Sequence, residues 1–381
     1  MKIVYCTDTI CYPGGIQTVT LTKANALADI QGNKIWVAVT DNKRSIPVVP
    51  VSGKVQVEDL DVNYYQDDWK SPFHVLKGIF VKRRQHRKRL EAFLAAVQPD
   101  IVISTGTSEK HFVPRLCKKY HAASVREIHF TKQYRKLNAQ GVLNRLYALM
   151  ADFIDYNLYI SRYDKIVVLT EEDKYNNWRR NDNVIVIPNP LPQNNPRRSA
   201  LTEKTVVSAG RLVSQKNFKS LLNSWYIVHK AHPEWNLEIW GDGALKQELQ
   251  STIGELGLDG SAQLKGYTTD LEKQLCRASI FVCSSSFEGF CMVITEAMSC
   301  GLPVVSYSCP CGPKDIISDG DNGYLVGPGD EEGLAGHICK LIEDKELRQH
   351  MGDAARHRAQ DFRIESIAPK WMHLFNTIAK Q

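Results

Sequence analysis

The sequence predicts an α/β protein made of two doubly wound domains, each with a parallel sheet. Short apolar runs alternate with helical patterns from the N-terminus onward, and the same alternation restarts after a proline-rich stretch. A chain of 381 residues also exceeds what one hydrophobic core usually fills. The prolines of Pro188–Pro192 and the polar residues that follow them mark the predicted hinge. We therefore place the domains at residues 1–190 and 191–361.

Charge is distributed unevenly between the two halves of the chain. Residues 1–190 hold 28 Lys and Arg against 19 Asp and Glu, whereas residues 191–381 hold 20 against 23. The basic half is therefore expected to meet an anionic partner. The cysteines include no Cys-x-x-Cys pair, which favours reduced thiols over a zinc site or a disulfide framework. Asp8 interrupts the apolar start, and no apolar run reaches about 18 residues, so we expect a soluble or peripheral cytoplasmic protein.

The first half begins with a predicted strand, a glycine loop and a helix. Lys2–Thr7 is apolar and β-branched, Gly14 and Gly15 follow it, and a helical pattern runs from Gln17 to Ala28. Two adjacent glycines let the backbone approach a phosphate at a helix N-terminus, although a tight turn needs glycine without any ligand. The Gly-x-Gly-x-x-Gly spacing is absent, which argues against a nicotinamide site. Residues 44–75 contain several breakers and are predicted to be irregular.

A strongly cationic helix is predicted from Leu76 to Val97. Its middle is crowded with Lys and Arg, and no acid occurs among them until Glu91. Such a run is often a solvated face, but we favour attraction to an anionic membrane, which contributes about 1 kcal/mol per basic residue near the surface. Binding of nucleic acid is a weaker interpretation, because no aromatic residues interleave with the cations. The predicted membrane or acceptor contacts on this helix are Lys82, Arg83, Arg84 and Arg87.

Polar groups that follow predicted strands supply further candidates. Arg126 and His129 lie at the end of a predicted strand, and polar groups at such positions face the ligand crevice of an open parallel sheet. A structural role for His129 is equally consistent with the sequence. In the second half, Arg211 and Lys216 lie on the loop after Thr205–Ala209, from which long cationic side chains can reach a diphosphate. Salt bridges to surface acids are the alternative.

The most informative stretch runs from Ser284 to Ile316. Glu288 and Glu296 stand eight positions apart. A buried strand is predicted from Ile280 to Cys283 and a helix from Val293 to Met298, so Glu288 precedes the helix and Glu296 lies in its first turns. Both acids are therefore expected near a helix N-terminus, where backbone amides attract anions. Phosphates on the amides and hydroxyls on the carboxylates describe a nucleotide sugar. For Glu296 the alternative is an exposed acid in the first helical turn.

Together these motifs resemble glycosyltransferase family 4, and the likeness covers nearly the whole chain. It rests on Gly14-Gly15, Arg211 with Lys216, Gly241-Asp242-Gly243, Gly266, and the stretch from Phe287 to Val304. The resemblance implies the GT-B fold, in which two Rossmann-like doubly wound domains face a central cleft. It also implies that the C-terminal helix, here residues 362–381, crosses back to the first domain. The second domain would hold a donor nucleotide sugar and the first an acceptor.

The same resemblance implies roles for individual residues. Arg211 and Lys216 would neutralise the diphosphate, and Glu296 would bind ribose. Glu288 would contact hydroxyls of the transferred sugar, and His129 resembles the histidine that the family places near that sugar. The implied catalytic residues are Glu288, His129, Arg211 and Lys216. The implied donor site is formed by Gly15, Arg211, Lys216, Gly241, Gly266, Glu288, Gly289, Phe290, Cys291 and Glu296.

Family members transfer with retention of configuration and generally need no metal, so neither a metal nor a cofactor is expected. Ser308–Ile316 resembles a subgroup of bacterial surface-polysaccharide enzymes that use UDP-galactose-type donors and lipid-linked acceptors, and Cys309-Pro310-Cys311 is expected to be a tight turn. We therefore expect a retaining UDP-sugar transferase that acts on a lipid-linked saccharide at the inner face of the cell membrane, without nucleic acid. The alternatives are a sugar-nucleotide epimerase of the same fold and a non-catalytic nucleic-acid-binding protein.

Overall fold

The computed structural model describes residues 1–11, 14–41, 46–64, 72–139, 141–191 and 197–379. Tyr12 and Pro13 of the predicted glycine loop, and Pro192 of the predicted hinge, lie outside the described residues. The chain divides into two compact units. Unit 1 comprises Met1–Leu169, Lys174–Pro192 and Ile364–Gln381, and unit 2 comprises Thr170–Asp173 and Gln193–Arg363.

Each unit contains one parallel sheet within the described residues. The strands of unit 1 are β1 (Lys2–Thr7), β2 (Lys34–Val39), β3 (Val55–Asp59), β4 (Ile101–Ser104), β5 (Ala123–Glu127), β6 (Lys165–Val168) and β7 (Val184–Val186). Those of unit 2 are β8 (Thr205–Ala209), β9 (Asn236–Trp240), β10 (Ala262–Gly266), β11 (Ile280–Cys283), β12 (Val304–Tyr307) and β13 (Gly323–Val326). The spatial orders are β3-β2-β1-β4-β5-β6-β7 and β10-β9-β8-β11-β12-β13. In both, the order reverses beside the first strand of the unit, which creates the crevice where doubly wound folds bind ligands.

Helices connect these parallel strands. They are α1 (Gly15–Asp29), α2 (Pro72–Val97), α3 (Val113–Lys119), α4 (Tyr134–Asn138), α5 (Gly141–Ile154), α6 (Glu171–Asn177), α7 (Phe218–Ala231), α8 (Lys246–Glu255), α9 (Leu271–Leu275), α10 (Met292–Ser299), α11 (Pro313–Ile316), α12 (Glu331–Glu343), α13 (Lys345–Ala359) and α14 (Ile364–Ile378). Within the part of the chain that the structure describes, no helix combines the length and apolar character that crossing a membrane requires.

Helices cover both faces of the unit 1 sheet, as the buried strands require. Side chains alternate along β1, so that Ile3 packs into one core with α1 and α14, while Val4 packs into the other with α2 and α3. The last helix supplies Trp371 and Phe375 to the first of these cores. The predicted fold class, including the return of the C-terminal helix to the first unit, is confirmed.

Two predicted elements differ from the structure. The stretch predicted to be irregular, 44–75, contains β3, an edge strand in which only the first residue is buried. Its polar outward residues hid the apolar alternation that marks a strand. The apolar pattern also predicts one helix from Asn138 to Ile160, whereas α4 ends at Asn138 and α5 begins at Gly141, where φ is positive. A π-helical turn, Asp155–Tyr159, follows α5.

Candidate active site

The carboxyl ends of β8 and β9 approach each other closely in unit 2. A Cβ atom on Gly241 would lie 1.9 Å from the carbonyl oxygen of Gly210, so only glycine fits there. The Lys216 side chain passes directly over Gly210, and its Cε atom would lie 3.0 Å from a Cβ at that position. Gly241 is therefore a packing glycine, and Gly210 leaves the space that the Lys216 side chain occupies.

Lys216 is held against Glu288 by a buried ion pair. Its Nζ atom lies 2.6 Å from Glu288 Oε1, and the two side chains are 16% and 8% exposed. Around this pair the loop after β8 is bonded to the loop after β11. The Ser286 amide donates to the Gln215 carbonyl at 2.8 Å, and Ser284 Oγ donates to the Lys216 carbonyl at 2.9 Å. These two hydrogen bonds join the loops and so hold the Lys216 ammonium in place against the Glu288 carboxylate.

A third loop, between β12 and α11, positions Glu288 from the other side. The Glu288 amide donates to the Pro310 carbonyl at 3.0 Å. At Gly312, whose φ is 125°, a Cβ atom would lie 2.6 Å from the Phe290 carbonyl oxygen. Cys311 also has a positive φ of 62°, so the chain turns sharply at this point. The cysteine-proline-cysteine segment therefore supports the backbone of Glu288 and Phe290.

Two thiols share the Lys216–Glu288 environment. Cys283 ends β11, Cys291 precedes α10 with a φ of 69°, and their Sγ atoms lie 3.5 Å apart. The hydrogen bond from Cys291 lowers the pKa of the Cys283 thiol to about 7. Burial opposes the charge on Lys216, but Glu288 and both thiols outweigh it and raise the pKa of Lys216 well above its ordinary value. The Lys216 ammonium therefore stays protonated at physiological pH, surrounded by the Glu288 carboxylate and the two thiols.

The same groups have the chemistry of a metal site. The ligand atoms of Cys283, Glu288 and Cys291 all lie within 4.8 Å of one another. Thiolates with a carboxylate suit Zn²⁺ among biological metals. The Lys216 ammonium contacts that carboxylate, so a positive charge is already present where a metal ion would supply one.

Glu296 lies on α10, five positions beyond Cys291. Because α10 begins at Met292, this acid occupies the second helical turn and not the first turn of the alternative interpretation. Burial raises the pKa of its carboxyl to about 7, with Lys216 opposing that shift. The acid is therefore neither a first-turn residue nor fully exposed, and its charge changes near neutral pH.

The remaining donor-site candidates of unit 2 lie around this pair. Arg211 follows Gly210 directly and is exposed, and its guanidinium makes no hydrogen bond or ion pair with the described residues. The Gly266 carbonyl accepts from the Gly241 amide at 2.9 Å, which ties the end of β10 to that of β9. Phe290 is buried with its ring 5.5 Å from that of Phe362, while Gly289 is half-buried between Glu288 and Phe290.

The two candidates on unit 1 have different surroundings. Gly15 begins α1 and is exposed, after an extended Gly14 that provides no side-chain cap. His129 is buried, its Nε2 atom lies 3.6 Å from Glu127 Oε1, and neither ring nitrogen has a hydrogen-bond partner among the described residues. Burial lowers the pKa of His129 to about 4, so the imidazole is neutral at physiological pH.

The predicted membrane contacts divide into two groups. Arg83, Arg84 and Arg87 are exposed on α2, whereas the Lys82 ammonium donates to the Asn63 carbonyl. Arg126, the further candidate for acceptor binding, ends β5 with a buried side chain. Its Nη1 atom donates to Ser104 Oγ at 2.7 Å and to the Gly106 carbonyl at 2.6 Å inside unit 1.

Three residues of this site had no predicted role. Cys283 forms the thiol pair, Gln215 bonds the Phe287 carbonyl at 2.9 Å through its Nε2 atom, and Pro310 supplies the carbonyl that orients Glu288. Cys283 resembles any apolar residue of a buried strand. Gln215 and Pro310 act by bonding main-chain groups of the Glu288 loop, and such contacts leave no pattern in the sequence. Only the proximity of Cys309-Pro310-Cys311 to Glu288 in the fold reveals that segment as a support of the site.

Two Rossmann-like units, each with a parallel sheet whose strand order reverses beside its first strand, define the fold class as GT-B. The sequence profile of the glycosyl transferases group 1 matches residues 193–358. A lipopolysaccharide 1,6-galactosyltransferase of Escherichia coli is 30% identical over 274 residues, which cover 69% of this chain and 71% of that relative. The chain therefore belongs to the group 1 glycosyl transferases.

Other similarities extend over the full length of the chain. An uncharacterized glycosyltransferase of Haemophilus influenzae is 28% identical over 376 residues, which cover 97% of this chain and 98% of that protein. The crystal structure of the Anabaena protein HepE in complex with UDP and glucose superimposes with a TM-score of 0.73 at 18% identity. It covers 99% of this chain and 100% of that chain, which establishes the shared fold.

Proposed function

We propose that the protein is a retaining glycosyltransferase that moves a hexose or N-acetylhexosamine, of galactose type, from a UDP-sugar to a lipid-linked saccharide. The observation that carries this proposal is the buried Lys216–Glu288 pair at the strand ends of unit 2, with the exposed Arg211 on the same loop as Lys216. Lys216, held by its ion pair, and Arg211, which is exposed, both lie at the strand ends, where a doubly wound sheet binds its ligand.

The chemistry follows from the hydrogen-bonding capacity of the pair. A lysine ammonium has three donors, and Glu288 takes one, so two remain for phosphate oxygens of a donor. The departing diphosphate gains charge as the glycosidic bond breaks, and a preorganised cation stabilises that charge in the transition state. Glu288 Oε2 has no partner in the ion pair and can accept from a sugar hydroxyl. In this proposal Glu296 accepts from ribose, and the amides of Phe290 and Cys291 approach the sugar or its phosphate.

The proposed donor and acceptor are supported by relatives. HepE was crystallised with UDP and glucose, and lipopolysaccharide 1,6-galactosyltransferases of Escherichia coli and Salmonella typhimurium are among the similar sequences. Membership of glycosyltransferase family 4, and of the surface-polysaccharide subgroup that Ser308–Ile316 resembles, is part of this proposal. The exposed cations of α2 support action at an anionic membrane face, where a lipid-linked acceptor would reside. His129 remains the proposed sugar-contacting residue of unit 1.

The first experiment identifies the donor. Thermal unfolding of the full chain is followed with a panel of UDP-, GDP- and ADP-sugars, because a ligand at 100 times its Kd stabilises by about 2.7 kcal/mol. We expect a UDP-sugar to raise Tm most. Product analysis with and without a saccharide acceptor then separates transfer from epimerisation. Conversion of the UDP-sugar into its epimer without acceptor would replace the proposed reaction with the alternative one.

The second experiment tests the residues. We expect Lys216→Ala and Glu288→Ala to reduce transfer by about 10³-fold or more, since each removes a contact to the reacting donor. The matched controls are Lys219→Ala and Glu332→Ala, which remove exposed side chains of the same unit and should leave transfer unchanged. Circular dichroism checks that all four variants are folded. Full activity of either test variant would remove that residue from the mechanism.

Transfer should also survive a chelator. If Lys216 supplies the positive charge of the site, excess EDTA leaves the rate unchanged. A rate that falls with EDTA and returns with Zn²⁺ or Mg²⁺ would show instead that the grouping of Cys283, Glu288 and Cys291 holds a required metal.

A further inference from the structure

The helix α5 of unit 1 presents its apolar side chains to solvent. Val142, Leu143, Leu146, Tyr147, Met150 and Phe153 are between 58% and 83% exposed. Their spacing places them on about half of the helix circumference, so they form one continuous stripe. We call these six residues the α5 apolar face. Contiguous exposed apolar surface of this kind marks an interaction site in a soluble protein.

The opposite side of α5 shows why the helix is held in this orientation. An ordinary surface helix packs its apolar stripe on the core and turns its polar residues outward. Here Asp152 forms an ion pair with Arg135 at 2.6 Å, and Asp155, just after the helix, pairs with Lys110 at 2.6 Å. Of the α5 residues, Ala148 is the one that is buried within the described structure. Polar contacts therefore fix the inner side and direct the apolar face outward.

Exposed cations flank this face, and no acid occurs within it. From Lys136 through Ala151 the sequence contains no Asp or Glu, and Lys136 and Arg145 are exposed. One exposed cation of α2, Arg83, lies toward the other end of α5. Burial lowers the pKa of His111 and the charge of Arg83 adds to that shift, and the His111 ring lies 4.3 Å from that of Tyr159 in the turn after α5. An apolar stripe with a cationic rim is complementary to a surface that is anionic outside and apolar beneath.

We propose that α5 lies in the interface of an anionic lipid membrane, with its apolar face buried among the acyl chains and the cations of α2 on the headgroups. A helix of 14 residues is about 21 Å long, too short to span a bilayer but suited to lie in its interface. The proposal rests on the proposed function in one respect, that a lipid-linked acceptor is reached at a membrane. A second copy of the chain is a less suitable occupant, because pairing two such faces would bring like charges together.

Vesicle binding by the full chain tests this proposal. The vesicles contain phosphatidylcholine with about 30 mol % phosphatidylglycerol, and pure phosphatidylcholine serves for comparison. We expect the triple variant Leu143→Ser, Leu146→Ser, Met150→Ser to lower the partition coefficient at least about tenfold. The matched control, Ile46→Ser, Tyr175→Ser, Ile227→Ser, removes exposed apolar side chains elsewhere and should change it less than about twofold.

A second variant separates the electrostatic contribution to vesicle binding from the contribution of apolar insertion. Replacing Arg83, Arg84 and Arg87 with Gln should weaken binding to the anionic vesicles and remove most of its salt dependence, because these cations meet the headgroups. Unchanged partitioning of the triple Ser variant would overturn the proposal. So would a wild-type dimer in analytical ultracentrifugation that the triple Ser variant converts to monomers while vesicle binding persists.

Failure of this proposal can be distinguished from failure of the proposed function. Vesicle binding requires no donor, so Lys216→Ala should bind vesicles normally although it transfers no sugar. The triple Ser variant should in turn keep the thermal stabilisation by the UDP-sugar. If Lys216→Ala also lost vesicle binding, the two activities would share a structural cause, and the separate role of α5 would be refuted.

Discussion

Each unit contains a buried lysine–glutamate pair, and the two pairs differ in what surrounds them. In unit 1 the Lys23 ammonium contacts Glu127, and both side chains are 1% exposed. The Trp371 ring lies 4.4 Å and the Tyr5 ring 5.8 Å from that ammonium. In unit 2, Lys216 and Glu288 are more exposed, and Arg211 lies nearby on the loop of Lys216. Burial of opposite charges thus occurs once beneath aromatic rings and once beside open loops.

The electrostatics of the two lysines differ in the same way. Burial lowers the pKa of Lys23. The single carboxylate that faces this ammonium, that of Glu127, opposes the shift but does not cancel it. At Lys216 burial acts in the same direction, but a carboxylate and two thiols together raise the pKa. The Lys23 pair is covered by aromatic rings, whereas Lys216 keeps two free ammonium donors and lies on the same loop as the exposed Arg211, which leaves capacity for an anionic ligand. The surroundings of a buried pair therefore indicate its role better than the pair itself.

The largest expected effect comes from replacing both partners of each pair with apolar residues. Lys216→Met with Glu288→Leu should abolish transfer, a loss of about 10³-fold or more, while the protein stays folded. Lys23→Met with Glu127→Leu should keep transfer within about tenfold and leave stability unchanged or higher, because a buried ion pair often contributes no more than apolar packing. Initial rates and denaturant unfolding measure both. Equal loss of transfer in the two variants would refute the assignment of catalysis to the Lys216–Glu288 pair alone.

A single replacement in unit 1 should affect stability. Lys23→Met leaves the Glu127 carboxylate buried without its cation, and we expect the free energy of unfolding to fall by about 3–5 kcal/mol. The control is Lys34→Met at the exposed start of β2, which should change it by less than about 0.5 kcal/mol. Amide hydrogen exchange assigns the loss to unit 1. Unaltered exchange in β1 and β5 would mean that the pair contributes nothing to that core.

The smallest predicted effect is a pH dependence of donor affinity. In the folded protein Glu296 holds its proton up to about pH 7, compared with an ordinary value of 4.5, so its carboxylate forms only above neutrality. The folded state binds more protons between these values, and stability from this group therefore declines as pH rises from 4.5 to about 7. Affinity for ribose hydroxyls changes in the opposite direction, since only the carboxylate accepts them well. The affinity for the UDP-sugar that raises Tm most should be up to about tenfold weaker at pH 6 than at pH 8.

Isothermal titration calorimetry of two variants assigns this dependence. Glu296→Gln should make the affinity independent of pH across that range. The Cys283 thiol, whose pKa is about 7, acts in the opposite sense, because a thiolate repels a diphosphate at high pH. Cys283→Ser should therefore steepen the dependence. A flat profile in the wild type would remove Glu296 from the ribose site.

The sequence predicted the parts of the fold that depend on side-chain pattern. The bounds of β1, β8 and β11 agree with prediction because buried parallel strands are continuous apolar runs. It missed β3, whose outward side is polar. Glu288 and Lys216 were predicted as site residues, yet their direct contact depends on two loops joined through main-chain bonds, which leave no residue pattern. The burial of the Arg126 guanidinium and the exposure of the α5 apolar face likewise depend on tertiary contacts, which the sequence pattern does not reveal.

The C-terminal helix has a consequence for how the protein is made. Because α14 supplies Trp371 and Phe375 to the core beside β1, unit 1 is the first unit to leave the ribosome and the last to be completed. Unit 2 is synthesised in between, which takes roughly 10 to 40 s at ordinary elongation rates. During that interval the Lys23 pair lacks the Trp371 ring that covers it in the finished protein. A nascent chain that stops before α14 therefore presents an open apolar groove to chaperones and proteases.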